Sequence, residues 1–228
     1  MIKNILLDLD NTILNFSVAE RMAAKNALLT AGIQPTDEML TRYHEINEDQ
    51  WRLLELGELC HEQIKVRRYE LLFEEAGIDK SPLETANIYE GLLGIGHYFM
   101  EGAEELLRKL SGEYRLYLVT NGASSVQKSR IKSADIAKYF RGIYISEDVG
   151  YNKPDVRYFE ACFKDIPDFR RDETVMIGDS LTSDMRGGIN AGIKTVWFNP
   201  SCAANSSDIL PDYEVGSLDE IPALMERL

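Results

Sequence analysis

Two carboxylates one residue apart close the first apolar run of the chain, Ile5-Leu6-Leu7-Asp8-Leu9-Asp10. Residues i and i+2 of a strand point to the same side, so Asp8 and Asp10 would crowd one spot. Like charges that close shift each other's pKa unless a cation or a proton settles between them. Three later stretches carry groups that could complete such a site. Val119-Thr120-Asn121-Gly122 offers a hydroxyl, an amide and a glycine opening a helix, an anion cradle of backbone N–H groups and helix dipole. Lys153 stands before Pro154 in Tyr151-Asn152-Lys153-Pro154-Asp155, and Ile177-Gly178-Asp179-Ser180-Leu181-Thr182-Ser183-Asp184 supplies two more carboxylates. Each stretch also has an ordinary reading: a polar strand end, a turn with a helix cap, a solvated lysine, an aspartate capping a helix. The order of the four is what points to chemistry.

The elements around these residues put all four at strand ends. Ile5–Leu7 reads as a buried strand. A helical rhythm follows: Val18, Met22, Asn26 and Leu29 at helical spacing with Ala23 and Leu28 widening the apolar face, then helices over Thr36–Leu56 and Glu58–Ala76. A fourth helix opens at Ser81-Pro82-Leu83-Glu84, with an N-cap serine, proline at the first helical position and a capping-box glutamate. From Gly102 the pattern alternates. Helices are expected at Ala103–Leu110, Val126–Ser133, Val156–Phe163 and Asp184–Ala191; strands at Arg115–Val119, Ile143–Ile145, Thr174–Ile177 and Thr195–Phe198. A loop, Asn199–Asp212, leads to a last short strand and helix. Such alternation implies an α/β fold, a Rossmann-like parallel-sheet core with helices on both faces. The helical stretch is then an insertion, a four-helix bundle. The expected boundaries are residues 1–15 and 100–228 for the core and 16–99 for the bundle. Ligands in an open parallel sheet sit beyond the carboxyl ends of the strands, where the four stretches lie.

Composition narrows the partners. A net charge of −13 argues against nucleic acid and anionic membranes, which need a basic face, but not against a small anion met by local cations or a metal. Cys60, Cys162 and Cys202 are scattered and odd in number, the usage of a reducing compartment with no disulfide framework. The N-terminus enters a strand directly rather than a leader, and no apolar stretch approaches the roughly 20 residues of a membrane helix. A cytoplasmic protein, monomer or homodimer, is expected. His44, His61 and His97 lack metal-ligand spacing, and no Gly-x-Ser-x-Gly elbow or Walker loop occurs.

Asp8-Leu9-Asp10-Asn11-Thr12, Thr120-Asn121-Gly122, Lys153, and Gly178-Asp179 through Asp184 resemble, in that order, the four motifs of the haloacid dehalogenase superfamily of aspartate-nucleophile phosphohydrolases. The resemblance covers essentially the whole chain, and the inserted bundle is similar to that superfamily's helical cap. It implies Asp8 as nucleophile forming an aspartyl-phosphate, and Asp10 as the acid and base that protonates the leaving oxygen and then activates water. It further implies Mg²⁺ held by Asp8, the Asp10 carbonyl and Asp179, with Asp184 orienting the metal shell, and phosphoryl binding by Thr120, Asn121, Gly122 and Lys153. Within the superfamily the chain looks like the pyrimidine 5′-nucleotidases, on Phe16, Trp51, Ser146-Glu147-Asp148-Val149-Gly150 and Gly187-Gly188-Ile189-Asn190-Ala191-Gly192. That likeness implies a nucleoside monophosphate as the small phosphorylated substrate, and a choice for Phe16 between hinge packing and a platform for the base.

Competing readings leave different marks. A 2-haloacid dehalogenase releases halide, needs no proton for it, and lacks the second aspartate of the first motif. A phosphomutase uses the same acids. A phosphatase of phosphoglycolate or a sugar phosphate would differ only in the bundle and hinge. A non-enzymatic phospho-acceptor module also uses Asp, Mg²⁺, Thr and Lys, but as a single compact domain with its acceptor later along the sheet and no use for an inserted lid.

Overall fold

The computed structural model describes all 228 residues, Met1–Leu228. Six strands form one sheet: β1 (Asn4–Leu7), β2 (Arg115–Thr120), β3 (Gly142–Ile145), β4 (Thr174–Gly178), β5 (Lys194–Phe198) and β6 (Tyr213–Val215). Their order is β3-β2-β1-β4-β5-β6, and every neighbouring pair is parallel. The central strands are buried on both faces, which is why they read as unbroken apolar runs. Leu6 lies opposite Tyr117 and Met176, while Leu7 lies opposite Leu118 and Ile177. The first set packs with Tyr158, Phe159, Cys162 and Phe163 from one helix into a buried cluster. Emptying such a position, as in Leu6→Ala, removes about 2–5 kcal/mol.

The helices, in chain order, are α1 (Phe16–Thr30), α2 (Asp37–Glu55), α3 (His61–Ala76), α4 (Pro82–Ile95), α5 (Ala103–Glu113), α6 (Ser124–Ser133), α7 (Ser146–Val149), α8 (Val156–Lys164), α9 (Arg186–Asn190) and α10 (Ile221–Met225). Local chemistry sets their ends. Thr36 accepts from the Met39 N–H at 3.2 Å and starts α2, and Ser81 accepts from the Glu84 N–H at 3.3 Å with Pro82 as the first helical residue of α4. Helix α3 begins at His61 rather than at the expected Glu58. Gly57, at φ 76°, turns the chain out of α2, and Gln63 caps the Cys60 N–H at 2.9 Å.

The chain falls into two compact units. The α/β unit comprises Met1–Asn15, Phe99–Ser124 and Asp135–Leu228; the helical unit comprises Phe16–Tyr98 and Ser125–Ala134. The stretch 125–134, which alternation alone assigns to the sheet-bearing part, groups with the helical unit. The Arg130 guanidinium lies 5.5 Å from the centre of the Phe16 ring, and Ser133 Oγ donates to the Ile95 carbonyl at 3.0 Å.

Within the helical unit α1 packs on α4, α2 on α3 and α3 on α4. The buried face of α1 is rotated from the expected one, keeping Ala23 and Leu28 but not the residues at the expected helical spacing. Val18, Met22 and Leu29 are exposed, whereas Ala19, Ala23, Ala24, Ala27 and Leu28 are buried. Small side chains let a neighbouring helix approach closely, and the four alanines outweigh the larger residues in choosing the face. Tyr43, Tyr69 and Tyr89 fill the interior, with ring centres 4.9 to 5.9 Å apart. No helix is long and apolar enough to cross a membrane, and all three cysteines are free.

Candidate active site

Four connections leave the carboxyl ends of β1, β2, β3 and β4. Strand order reverses around β1: β2 and β3 lie to one side, β4 to β6 to the other. The carboxyl ends of β1 and β4 therefore open the crevice where parallel sheets bind ligands.

Asp8 continues β1, its N–H donating to the Ile177 carbonyl at 3.0 Å, and the residue is 5% exposed. After Asp10 the chain folds back on itself. Asn11 sits at φ 55° and donates to the Leu14 carbonyl at 2.7 Å, while Ile13 and Leu14 both donate to the Leu9 carbonyl. The turn keeps Asp10 half-exposed beside buried Asp8.

Lys153 is the hub. Its ammonium, buried to 1% exposure, donates to Asp8 Oδ1 at 2.6 Å, Asp184 Oδ1 at 2.7 Å and the Val119 carbonyl at 3.0 Å, using all three of its protons. The Asn121 amide holds the hub's main chain, accepting from the Lys153 N–H at 2.8 Å and donating to the Lys153 carbonyl at 2.7 Å. Asn121, expected to bind substrate, is thus committed through its side chain to placing Lys153. Thr120 ends β2, buried, and Gly122 follows it, also buried.

Beyond β4 the chain makes a π-turn, Leu181–Met185, ahead of α9, where a regular helix from Asp184 is expected. The turn begins at Ser180, which accepts from the Ser183 N–H at 3.2 Å, and it aims the Asp184 carboxylate back at the Ser180 N–H, 3.1 Å away. A side chain at Gly178 would overlap that carboxylate, so glycine is required there. Gly187 and Gly188 are required for a different reason: a Cβ would strike Phe159 of α8 and Thr195 of β5. Asp179 accepts from Thr12 Oγ1 at 3.5 Å, and its carbonyl accepts from the Trp197 indole N–H at 2.8 Å.

Carboxylate oxygens of Asp8, Asp179 and Asp184 all lie within 4.8 Å of one another. Burial pushes the Asp8 carboxyl up to about 7; Lys153 opposes the shift, and Asp184 and Asp10 add to it. Burial, with Asp8 and Asp184, also holds Asp179 well above the usual carboxylate range. For Lys153 burial acts downward, but Asp184 and Asp8 outweigh it and the ammonium is held above its ordinary value. With all three acids ionised, one ammonium would leave two negative charges uncompensated, which is why the acids hold their protons when no cation is bound. The donors are all carboxylate oxygens, the set a hard divalent cation prefers. The residues present therefore fit Mg²⁺. The Asp10 carboxylate stands outside this trio, although its charge reaches Asp8.

Of the residues expected from sequence, Asp8, Asp10, Thr120, Asn121, Gly122, Lys153, Asp179 and Asp184 all belong to the α/β unit, and Phe16 belongs to the helical unit. Sequence reasoning misses Trp197 and gives no role to Thr12 or the Val119 carbonyl, although both stand within the motifs. Trp197 carries a signal, a donor-bearing aromatic one strand over from Gly178.

Comparison with known proteins agrees with this architecture. The family model described as haloacid dehalogenase-like hydrolase matches residues 5–198. The pyrimidine 5′-nucleotidase PynA of Streptococcus pneumoniae is 34% identical over 99% of this chain and 95% of its own. The pyrimidine 5′-nucleotidase YjjG of Escherichia coli is 28% identical over 97% and 96%. The crystal structure of the HAD-hydrolase YfnB of Bacillus subtilis bound to magnesium superimposes with a TM-score of 0.93 at 35% identity, covering 98% of both chains.

Proposed function

The chain belongs to the haloacid dehalogenase-like hydrolases and is a phosphohydrolase; from there we propose that it is a Mg²⁺-dependent 5′-nucleotidase for pyrimidine nucleoside monophosphates such as UMP, dUMP and dTMP. The observation that carries the chemistry is the Lys153 ammonium shared by Asp8 and Asp184, with Asp179 beside them.

In this reading Asp8, whose Oδ1 is held by Lys153, attacks phosphorus with its other oxygen. The P–O ester bond breaks as the Asp8–phosphorus bond forms, and Asp10 gives its proton to the departing alkoxide. Asp10 then takes a proton from water, the water oxygen attacks phosphorus, and Asp8 leaves with inorganic phosphate released. Lys153, Thr120 and the backbone of Asn121 and Gly122 meet the charge that grows on the phosphoryl oxygens. Asp8, the Asp10 carbonyl, Asp179 and Asp184 would hold Mg²⁺, which when bound draws charge from the phosphoryl oxygens and lets an anion approach three carboxylates.

The nucleotide preference is supported by the two nucleotidase relatives, each aligned over nearly the whole chain. Phosphate release across a panel of phosphomonoesters tests it. Pyrimidine nucleoside monophosphates should give the highest kcat/KM, chelation should abolish release, and Mg²⁺ should restore it. A sugar phosphate or phosphoglycolate hydrolysed far faster than any pyrimidine nucleotide would reject the nucleotidase reading and leave the phosphohydrolase intact.

A further inference from the structure

Of the three clustered acids, Asp179 has the weakest hold on its side chain. Asp8 and Asp184 share the Lys153 ammonium at 2.6 and 2.7 Å, and Asp184 also accepts from the Ser180 N–H. Apart from its own main chain, the Asp179 carboxylate accepts one long bond, from Thr12 at 3.5 Å. Both neighbouring acids repel it. Without a restraint elsewhere, this carboxylate, which is not fully buried, would swing toward solvent.

The restraint is on the backbone. Trp197 lies on β5, in register with Gly178 of β4, and is 6% exposed. Its ring belongs to the same apolar cluster as Met176, Met185 and Ile209. An indole N–H only donates, and once buried it must find an acceptor. Here that acceptor is the Asp179 carbonyl, 2.8 Å away. A rigid two-ring plate, fixed by packing, thus pins the peptide that carries the acid.

We propose that Trp197 is the positioning residue for Asp179, holding it where a divalent cation is bound; this rests on reading Asp8, Asp179 and Asp184 as the Mg²⁺ site. Groups that orient a metal ligand are worth roughly 10–100-fold in metal affinity. A Trp197 that merely fills space would be replaceable by any ring of the same shape.

Titration calorimetry with Mg²⁺ alone on the full-length protein separates the two roles. Trp197→Phe should weaken the Mg²⁺ Kd about tenfold and raise the Mg²⁺ concentration at half-activation by the same factor. Because Phe also removes volume, a second variant carries benzothienylalanine, which keeps the two-ring shape and lacks the N–H. It should weaken Mg²⁺ binding as much as Phe does, with little change in Tm. In a Trp51→Phe background, Trp197 is the sole tryptophan, and its emission should change on Mg²⁺ addition with the calorimetric Kd. Wild-type affinity in the benzothienyl variant overturns the inference, whatever Phe does. Failure of the wild-type protein to bind Mg²⁺ overturns the metal reading, and this inference with it.

Discussion

Two buried polar networks of this protein use similar residues to opposite ends. In the α/β unit, Lys153 faces Asp8 and Asp184, with Asp179 beside them, so the ionised acids outnumber the one cation. In the helical unit, Glu20, 2% exposed, accepts from the Asn47 amide at 2.6 Å and pairs with His44 Nδ1 at 2.6 Å. Asn47 in turn accepts from Arg68 Nη1 at 3.0 Å, and Glu90 pairs with Lys65 at 2.7 Å and lies 3.8 Å from Arg68. There two carboxylates meet two permanent cations. Buried polar groups that satisfy one another specify a packing arrangement, whereas a buried charge with no counter-ion demands a ligand. The difference in charge balance separates a network whose charges are matched internally from one that calls for a cation.

The largest expected effect is on the unbalanced network. Asp8→Asn keeps shape and removes the attacking charge, so turnover should fall by roughly 10⁴-fold or more while the circular dichroism spectrum persists. Near-normal activity in a folded variant would remove Asp8 from the nucleophile's role.

A pH series on chelated protein sharpens the contrast. The folded Asp8 carboxyl, at about 7, lies above its ordinary 3.8, so the native state holds that proton more tightly than the unfolded chain does. The resulting stability is complete below about 3.8 and is lost as pH rises toward 7. Tm without metal should decline over that window relative to Asp8→Asn, and Mg²⁺ at pH 7 should restore it. Parallel Tm–pH curves for the two proteins would contradict this.

In the balanced network, Asn47→Ala leaves Glu20 and Arg68 each short of a buried partner and should cost about 3 kcal/mol of stability. Its Mg²⁺ affinity should match the wild type. A tenfold loss of Mg²⁺ affinity at unchanged Tm would erase the distinction drawn between the two networks.

The smallest effect concerns Phe16, which is half-buried at the start of α1. If it stacks on a nucleobase, worth about 1–3 kcal/mol, Phe16→Ala should lower kcat/KM for UMP about tenfold more than for a small alkyl phosphate. An equal loss on both substrates assigns Phe16 to packing alone.

The sheet and the acids at its strand ends were legible because both are local signals. Apolar runs fully buried in a parallel sheet look the same in sequence as in space, and Asp8, Asp179 and Asp184 follow such runs, while Lys153 comes after the partly exposed strand β3. What escaped depends on approach between distant segments. Asn121 reaches the main chain of Lys153 and Trp197 that of Asp179, contacts with no periodicity to announce them. The buried face of α1 was legible only in Ala23 and Leu28, because hydrophobic size pointed to Val18, Met22 and Leu29, while close packing selected the alanines. Helix α7, four residues ended by Gly150 at φ 84°, is too short to show a helical period.

Borohydride trapping during turnover reads out whether Asp8 carries the phosphoryl group. Borohydride reduces an acyl phosphate to an alcohol and so converts an aspartyl-phosphate to homoserine. Enzyme quenched in this way with UMP and Mg²⁺, digested and sequenced by mass spectrometry, should contain homoserine at position 8, and the conversion should disappear when substrate is omitted. Unmodified Asp8 throughout, in samples releasing phosphate at the steady-state rate and quenched within one turnover, would contradict the account.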